Sequence, residues 1–202
     1  MRFAMTAFAA ATFVFTAAVT CLPLQTSTAD TTPKAFAKVE NFTLTDQAGA
    51  THELYGLADA PAIVIVTHAN GDPLSREAIT AMEGFKAIFS KAEYFVLNST
   101  PGTTRASLAE EAKSLGTTIP ILHDSEQAVA RNLGVTQAAE AFILNPIGWK
   151  IVYHGPVTAS AAEDPSASYL LFNALVHVVG HRVVEESDVA VKGTPIKISA
   201  GS

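Results

Sequence analysis

The chain has 202 residues, 49% of them hydrophobic, and a formal net charge of −6 at pH 7. That size and apolar fraction allow one domain with a proper core, and the acidic balance argues against a basic face for nucleic acid. Gly and Pro number 12 and 10, ordinary levels, and no internal repeat or low-complexity tract is found.

In chain order, the first segment reads as a targeting signal. Arg2 is the only charge before Asp30, Phe3 to Leu24 is apolar or small throughout, and Ser27-Thr28-Ala29 puts small residues where a signal peptidase reads. Cleavage after Ala29 is expected, with a periplasmic or secreted mature chain that has no membrane contact once the signal is removed. Two readings compete. The apolar stretch is long enough to stay as an N-terminal membrane anchor, and Ala18-Val19-Thr20-Cys21 loosely resembles a lipobox, without its leucine. Cys21 is the sole cysteine and lies in the segment expected to leave. The mature chain would then form no internal disulfide and no Cys-ligated metal site.

Residues 30–40 read as a flexible lead-in. Phe42 to Thr45 alternates apolar and polar as a half-buried strand, Gln47 to Ala50 is a turn, and Thr51 to Leu54 is a second strand. Ala62 to Thr67 is an unbroken Ile/Val-rich run, as in a central parallel strand buried on both faces. Leu74, Ala78, Met82, Phe85 and Phe89 then recur at helical spacing; Asp72 is the expected cap and Pro73 the first helical residue. Tyr94 to Asn98 is a strand, Thr104 to Leu115 a helix stopped by Gly116, and Ile119 to Leu122 a strand. Asp124-Ser125-Glu126-Gln127 resembles a capping box opening a helix that ends at Gly134. Ala141 to Leu144 and Trp149 to His154 form a hairpin around Asn145-Pro146-Ile147-Gly148, and Asp164-Pro165 opens a last helix ending at Gly180. Strand–helix alternation followed by a hairpin implies a three-layer α/β domain with a mostly parallel core and added antiparallel strands.

Particular residues narrow this. Phe42-x-Leu-x-Asp46-x-x-Gly49, then Pro120-Ile-Leu-x-Asp124 with Val129-Ala130-x-x-Leu133-Gly134-Val135-Thr136, then Glu140-Ala-Phe-Ile-Leu144 with Trp149-Lys-Ile-Val-Tyr153-x-Gly155, occur in the order seen in redoxin domains. The chain resembles peroxiredoxin-like proteins of the alkyl hydroperoxide reductase and thiol-specific antioxidant superfamily over residues 41–182, leaving 183–202 as a C-terminal tail. The resemblance implies a thioredoxin-like α/β fold, a central mixed β-sheet flanked by helices.

The departures fall where the chemistry sits. Gly71-Asp72-Pro73 stands in place of Gly-Cys-Pro, Ser75 in place of a second cysteine, Gly193-Thr194-Pro195 in place of a late Gly-Cys, and Ala139 in place of the superfamily's cis-proline. No catalytic residue is expected; Asp72, Ser75 and Thr194 are the degenerate positions. The helix N-terminus that stabilises a thiolate in relatives also stabilises a carboxylate, so Asp72 reads as a cap on a former redox site. No Ser-His-Asp or paired-carboxylate spacing supports Asp72 as nucleophile or base.

Asp72, Ser75, Arg76 and Ala139 are the ligand-binding candidates. The alternatives are an exposed or capping role for Ser75 and a solvated one for Arg76. No cofactor is implied, and no metal is expected. His68 and His123, at the C-terminal ends of parallel strands where open α/β sheets bind ligands, are the metal candidates, together with Asp72. His177 and His181 are four apart, but Gly180 puts His181 beyond the helix. Met82, Phe85, Phe89 and Trp149 read as packing. Asn41-Phe-Thr and Asn98-Ser-Thr fit glycosylation sequons, relevant only in a eukaryotic host. Two functions are carried forward: a non-catalytic binding or accessory protein with an unknown protein partner, and an antioxidant oxidoreductase acting through a partner thiol or a bound metal. The sequence leaves the oligomeric state open.

Overall fold

A computed structural model describes residues 38–185 and 187–199. The expected signal segment, Cys21 and most of the lead-in lie outside these residues.

The first strands, β1 (Thr43–Thr45) and β2 (Thr51–Glu53), form an antiparallel hairpin. Asp46 builds its turn: Oδ1 accepts the N–H groups of Ala48 and Ala50 at 2.8 and 2.9 Å, and Oδ2 lies 2.8 Å from His52 Nε2. Gly49 closes the turn at φ +91°, a backbone state open to glycine. This explains the spacing between Asp46 and Gly49.

The main sheet comprises β3 (Ile63–His68), β4 (Glu93–Asn98), β5 (Ile121–His123), β6 (Glu140–Asn145), β7 (Lys150–Pro156) and β8 (Ser187–Asp188), in the order β5-β4-β3-β6-β7-β8. The three strands β3, β4 and β5 are parallel; β6 is antiparallel to both β3 and β7, and β8 is parallel to β7. Both faces of β3 are buried. Ile63 and Ile65 join a core with Phe95, Leu133 and Phe142, while Val64 and Val66 join one with Ile79, Met82, Leu108 and Leu175. The unbroken apolar run follows from this two-sided burial.

Helix α1 (Pro73–Ile88) starts where expected, with Asp72 as N-cap. A reciprocal Thr104–Ser107 capping box opens α2 (Arg105–Leu115), and Gly116 closes it at φ +66°. The next helix corrects the sequence reading. α3 spans Ala128–Leu133, Gln127 takes a left-handed conformation at its start, and no side chain caps from that position. Asp124 instead reaches forward to accept the N–H groups of Val129 and Ala130 at 3.2 and 2.9 Å. The motif Asp124…Val129-Ala130 is thus a long-reach cap. The closing hairpin turns through Trp149 at φ +58°, and Trp149 stacks on Tyr55 with centroids 4.3 Å apart. Asp164-Pro165 opens a 3-10 turn, Pro165–Tyr169, and the regular helix α4 follows at Leu170–Val179.

The described end of the lead-in and the tail both meet the domain. Lys38 pairs with Lys150, and Val39 is buried. The tail supplies β8 and then continues as an extended strap. The Asn98 sequon is buried, with its amide donating to Asn70 Oδ1 at 2.8 Å, so it offers no glycosylation site in the folded chain.

Candidate functional site

The site forms where β3 ends and α1 begins. Gly71, at φ +76°, makes the turn. The extended backbone of Asp72 (φ −73°, ψ 123°) aims its carboxylate at the free N–H groups of the helix. Oδ2 accepts the Ser75 N–H at 2.7 Å, and Oδ1 accepts the Thr194 hydroxyl at 2.5 Å. Ser75 is fully buried, and its Oγ accepts the Ala69 N–H at 3.4 Å. Positions 72, 75 and 194 therefore meet, although 72 and 194 are 122 residues apart in the chain.

Asp72 is only 9% exposed. Burial pushes its carboxyl up, but the Thr194 hydroxyl and the Ser75 N–H outweigh this and hold it below the usual carboxylate range. The result is an ionised group whose two oxygens are both engaged. It cannot become a sulfenic acid or a disulfide.

His68, the last residue of β3, lies beneath this turn and is fully buried. Its Nε2 is 3.4 Å from Glu111 Oε1, and neither ring nitrogen makes a well-formed hydrogen bond. Burial pushes the imidazole below its usual value, against the pull of Glu111 and Asp72. Glu111 also accepts the Gly71 N–H at 3.3 Å. The sequence reading missed Glu111. The available signal was its position three residues after buried Leu108 and one before Ala112 on α2, a charge bordering an apolar stripe.

The other candidates are placed differently. His123 shares a sheet row with His68, but Asn98 stands between them, and His123 Nε2 lies 2.9 Å from the Thr103 carbonyl. Among the described residues no group of three or more His, Cys, Asp or Glu side chains could hold a metal ion, so the His68–His123–Asp72 arrangement is not formed. Arg76 is neither free nor turned to the site; its guanidinium donates to the carbonyl and hydroxyl of Ser114, both at 3.1 Å, bracing the end of α2. Ala139 is fully buried at φ +66°, and its N–H donates to the Thr67 carbonyl at 2.9 Å, so its side chain offers no ligand contact. His181 lies beyond α4, as the position of Gly180 implied.

The strap from Val191 to Ser199 runs over this region. Lys192 N–H donates to Ala161 O at 2.7 Å, Ala138 N–H to Thr194 O at 2.9 Å, and Ile196 N–H to Thr136 O at 2.9 Å. Gln137 Oε1 accepts the Gly193 N–H at 2.6 Å, and Gln127 holds Lys197 and Ser199 through their backbones at 2.7 and 2.8 Å. Nothing in the composition of the tail signalled this docking, because its bonds are mostly to backbone.

A search of curated proteins finds no match. Among solved structures, a hypothetical protein from Sinorhizobium meliloti is 25% identical, with 82% of this chain and 95% of that one covered at a TM-score of 0.68. The peroxidoxin BcpB from Mycobacterium tuberculosis is 16% identical over 73% of this chain and 97% of its own, with a TM-score of 0.57. A thiol:disulfide interchange protein, DsbE, from Chlorobium tepidum, described as putative, is 13% identical over 72% and 97%, with a TM-score of 0.60. At those identities the last two establish a shared thioredoxin-like fold alone. The model of the AhpC/TSA family matches residues 36–154, which take in all three quoted motifs up to Tyr153. With a single cysteine, far from the site in sequence, and a carboxylate at the helix start, the chain belongs to the AhpC/TSA family as a member whose redox cysteines are replaced.

Proposed function

We propose that this protein is a non-catalytic binding or accessory member of its family, working in the periplasm or outside the cell after removal of residues 1–29. One observation carries the reading: the position of the reactive thiol is held by Asp72, an ionised carboxylate already bound by Ser75 and Thr194. Thiol chemistry needs a polarisable nucleophile that can be oxidised and then reduced again. A carboxylate cannot enter that cycle. The location rests on the amino-terminal sequence pattern.

The test is turnover by the purified mature protein. Peroxide consumption with a thiol reductant and reduction of a disulfide substrate are both expected to stay at the level of the buffer. Multiple turnovers that disappear in Asp72→Ala would overturn the reading. Stoichiometric copper or zinc in the purified protein would favour an oxidoreductase acting through a bound metal, and turnover restored by an added thiol protein would favour one acting through a partner.

A further inference from the structure

We infer that the C-terminal strap is a built-in occupant of a strand-binding site, and that the site's true partner is an extended polypeptide carrying Gly, then a hydroxyl residue, then any residue, then Ile or Val. The inference rests on the non-catalytic binding reading and names the partner and its control.

The strap is held as an added β-strand would be held. The segment just before β6 gives the Ala138 N–H to Thr194 O and the Thr136 carbonyl to the Ile196 N–H, both at 2.9 Å, with Gln137 paired to Pro195. Main-chain pairing of this kind supplies affinity, and the side chains that meet the surface supply selectivity. Three positions of the strap are selected. At 193 only glycine fits, because a Cβ would lie 2.1 Å from the Ala138 carbonyl oxygen. At 194 the hydroxyl donates to Asp72 Oδ1. At 196 an apolar side chain enters the core with Phe142 and Leu144. Thr194, Pro195 and Lys197 remain exposed, so the strap lies on the surface and is not threaded through the fold. It follows β8, which stays paired with β7 at the sheet edge, through residues 189–190. A terminal segment on such a connector can leave without any internal element moving.

Asp72 has a positive role in this scheme. The carboxylate that replaced the thiol is an acceptor for the partner's hydroxyl, and the strap's own Thr194 occupies it in the closed state.

The probe is a labelled synthetic peptide of the Ser187–Ser199 sequence, measured by fluorescence anisotropy against the full mature chain. Gly193→Ala in the protein drives its own strap off while leaving the receiving surface unchanged. This chain is expected to bind the peptide at least tenfold more tightly than the wild type, with faster hydrogen exchange at the Ala138 amide before peptide is added. Peptides carrying Gly193→Ala or Thr194→Val are expected to lose at least tenfold. Thr194→Asp, which sets a second carboxylate against Asp72, is the alternative release if the first variant does not fold. The inference is overturned if a folded, strap-released chain binds no more tightly than wild type, if all three peptides bind equally, or if both release variants unfold, since a placeholder must be removable. Failure of peptide binding with turnover still absent sinks this inference alone; turnover by the wild type sinks the non-catalytic reading whatever the peptide does.

Discussion

Replacing Asp72 with alanine removes an acceptor from two donors at once. Loss of an N-cap side chain costs about 1 kcal/mol. The Thr194 hydroxyl loses a charged partner, and bonds to charged groups contribute about 1.5–3 kcal/mol. Thr194 is largely exposed, so the freed hydroxyl turns to water and the lower end applies. The expected loss for Asp72→Ala is therefore about 2–3 kcal/mol. Asp72→Asn still caps the helix but gives up the charge, and should lose about 1 kcal/mol. Urea unfolding at constant slope reads these differences. The dependence on pH has a definite sign. The folded carboxyl titrates below its usual range, so its contribution is fully present above the unfolded value of about 3.9 and is lost as pH falls through the lower folded value. The gap between wild type and Asp72→Ala should thus be constant from pH 7 down to that range and narrow below it. A gap under about 0.5 kcal/mol at pH 7, where surface substitutions normally fall, or one that widens on acidification, would refute the reasoning.

Placing the thioredoxin superfamily's proline at position 139 should fail. Ala139 sits at φ +66° and donates its N–H to Thr67, whereas proline fixes φ near −65° and has no N–H, so Ala139→Pro should cost about 3 kcal/mol or more in urea unfolding. Gly155→Ala should lose about 1–3 kcal/mol, because the new Cβ would lie 2.7 Å from Tyr153 Oη and 3.0 Å from Val189 Cβ; a neutral result would show that the Tyr153 ring is free to move. His154 lies 2.7 Å from Asp188 and 3.8 Å from buried Glu140. Burial lowers its pKa, but the two carboxylates outweigh burial and raise it. Its contribution is therefore complete below the unfolded value of about 6.5 and is lost as pH rises through the higher folded value. Urea midpoints compared across that range should show this alkaline loss in wild type but not in His154→Gln.

What the sequence revealed and what it hid follow from how local each signal is. The Asp72-Pro73 cap, the Thr104 start and the Gly116 stop are decided within one helical turn, and the elements lie where those residues put them. The Ile63–His68 strand was legible because burial on both faces leaves no polar alternation. Asp124 was misplaced because its carboxylate spans five and six residues to Val129 and Ala130, farther than a capping box reaches. At the site, positions 72, 75 and 194 could be aligned with lost cysteines, but nothing local indicates that the Thr194 hydroxyl meets Asp72. Glu111 beneath His68 and the glutamines that hold the strap were hidden for the same reason: their partners are supplied by tertiary structure and carry no periodicity of their own.

The account stands on residues 72–75 being a converted redox site, and the double variant Asp72→Cys, Ser75→Cys tests that most directly. Asp72 Oδ2 accepts the Ser75 backbone N–H at 2.7 Å and the Ser75 side chain also bonds the Asp72 carboxylate, so the new sulfurs, on residues facing each other across the first turn, should close a disulfide under mild oxidant. In the reduced form the thiol at position 72 should titrate below the free value of about 8.5, because the helix N-terminus that now holds a carboxylate favours its anion. Mass spectrometry for the disulfide and thiolate absorbance against pH give both answers from one sample. A variant that folds but cannot close the bond, or whose thiol at position 72 titrates at or above the free value, would contradict the account.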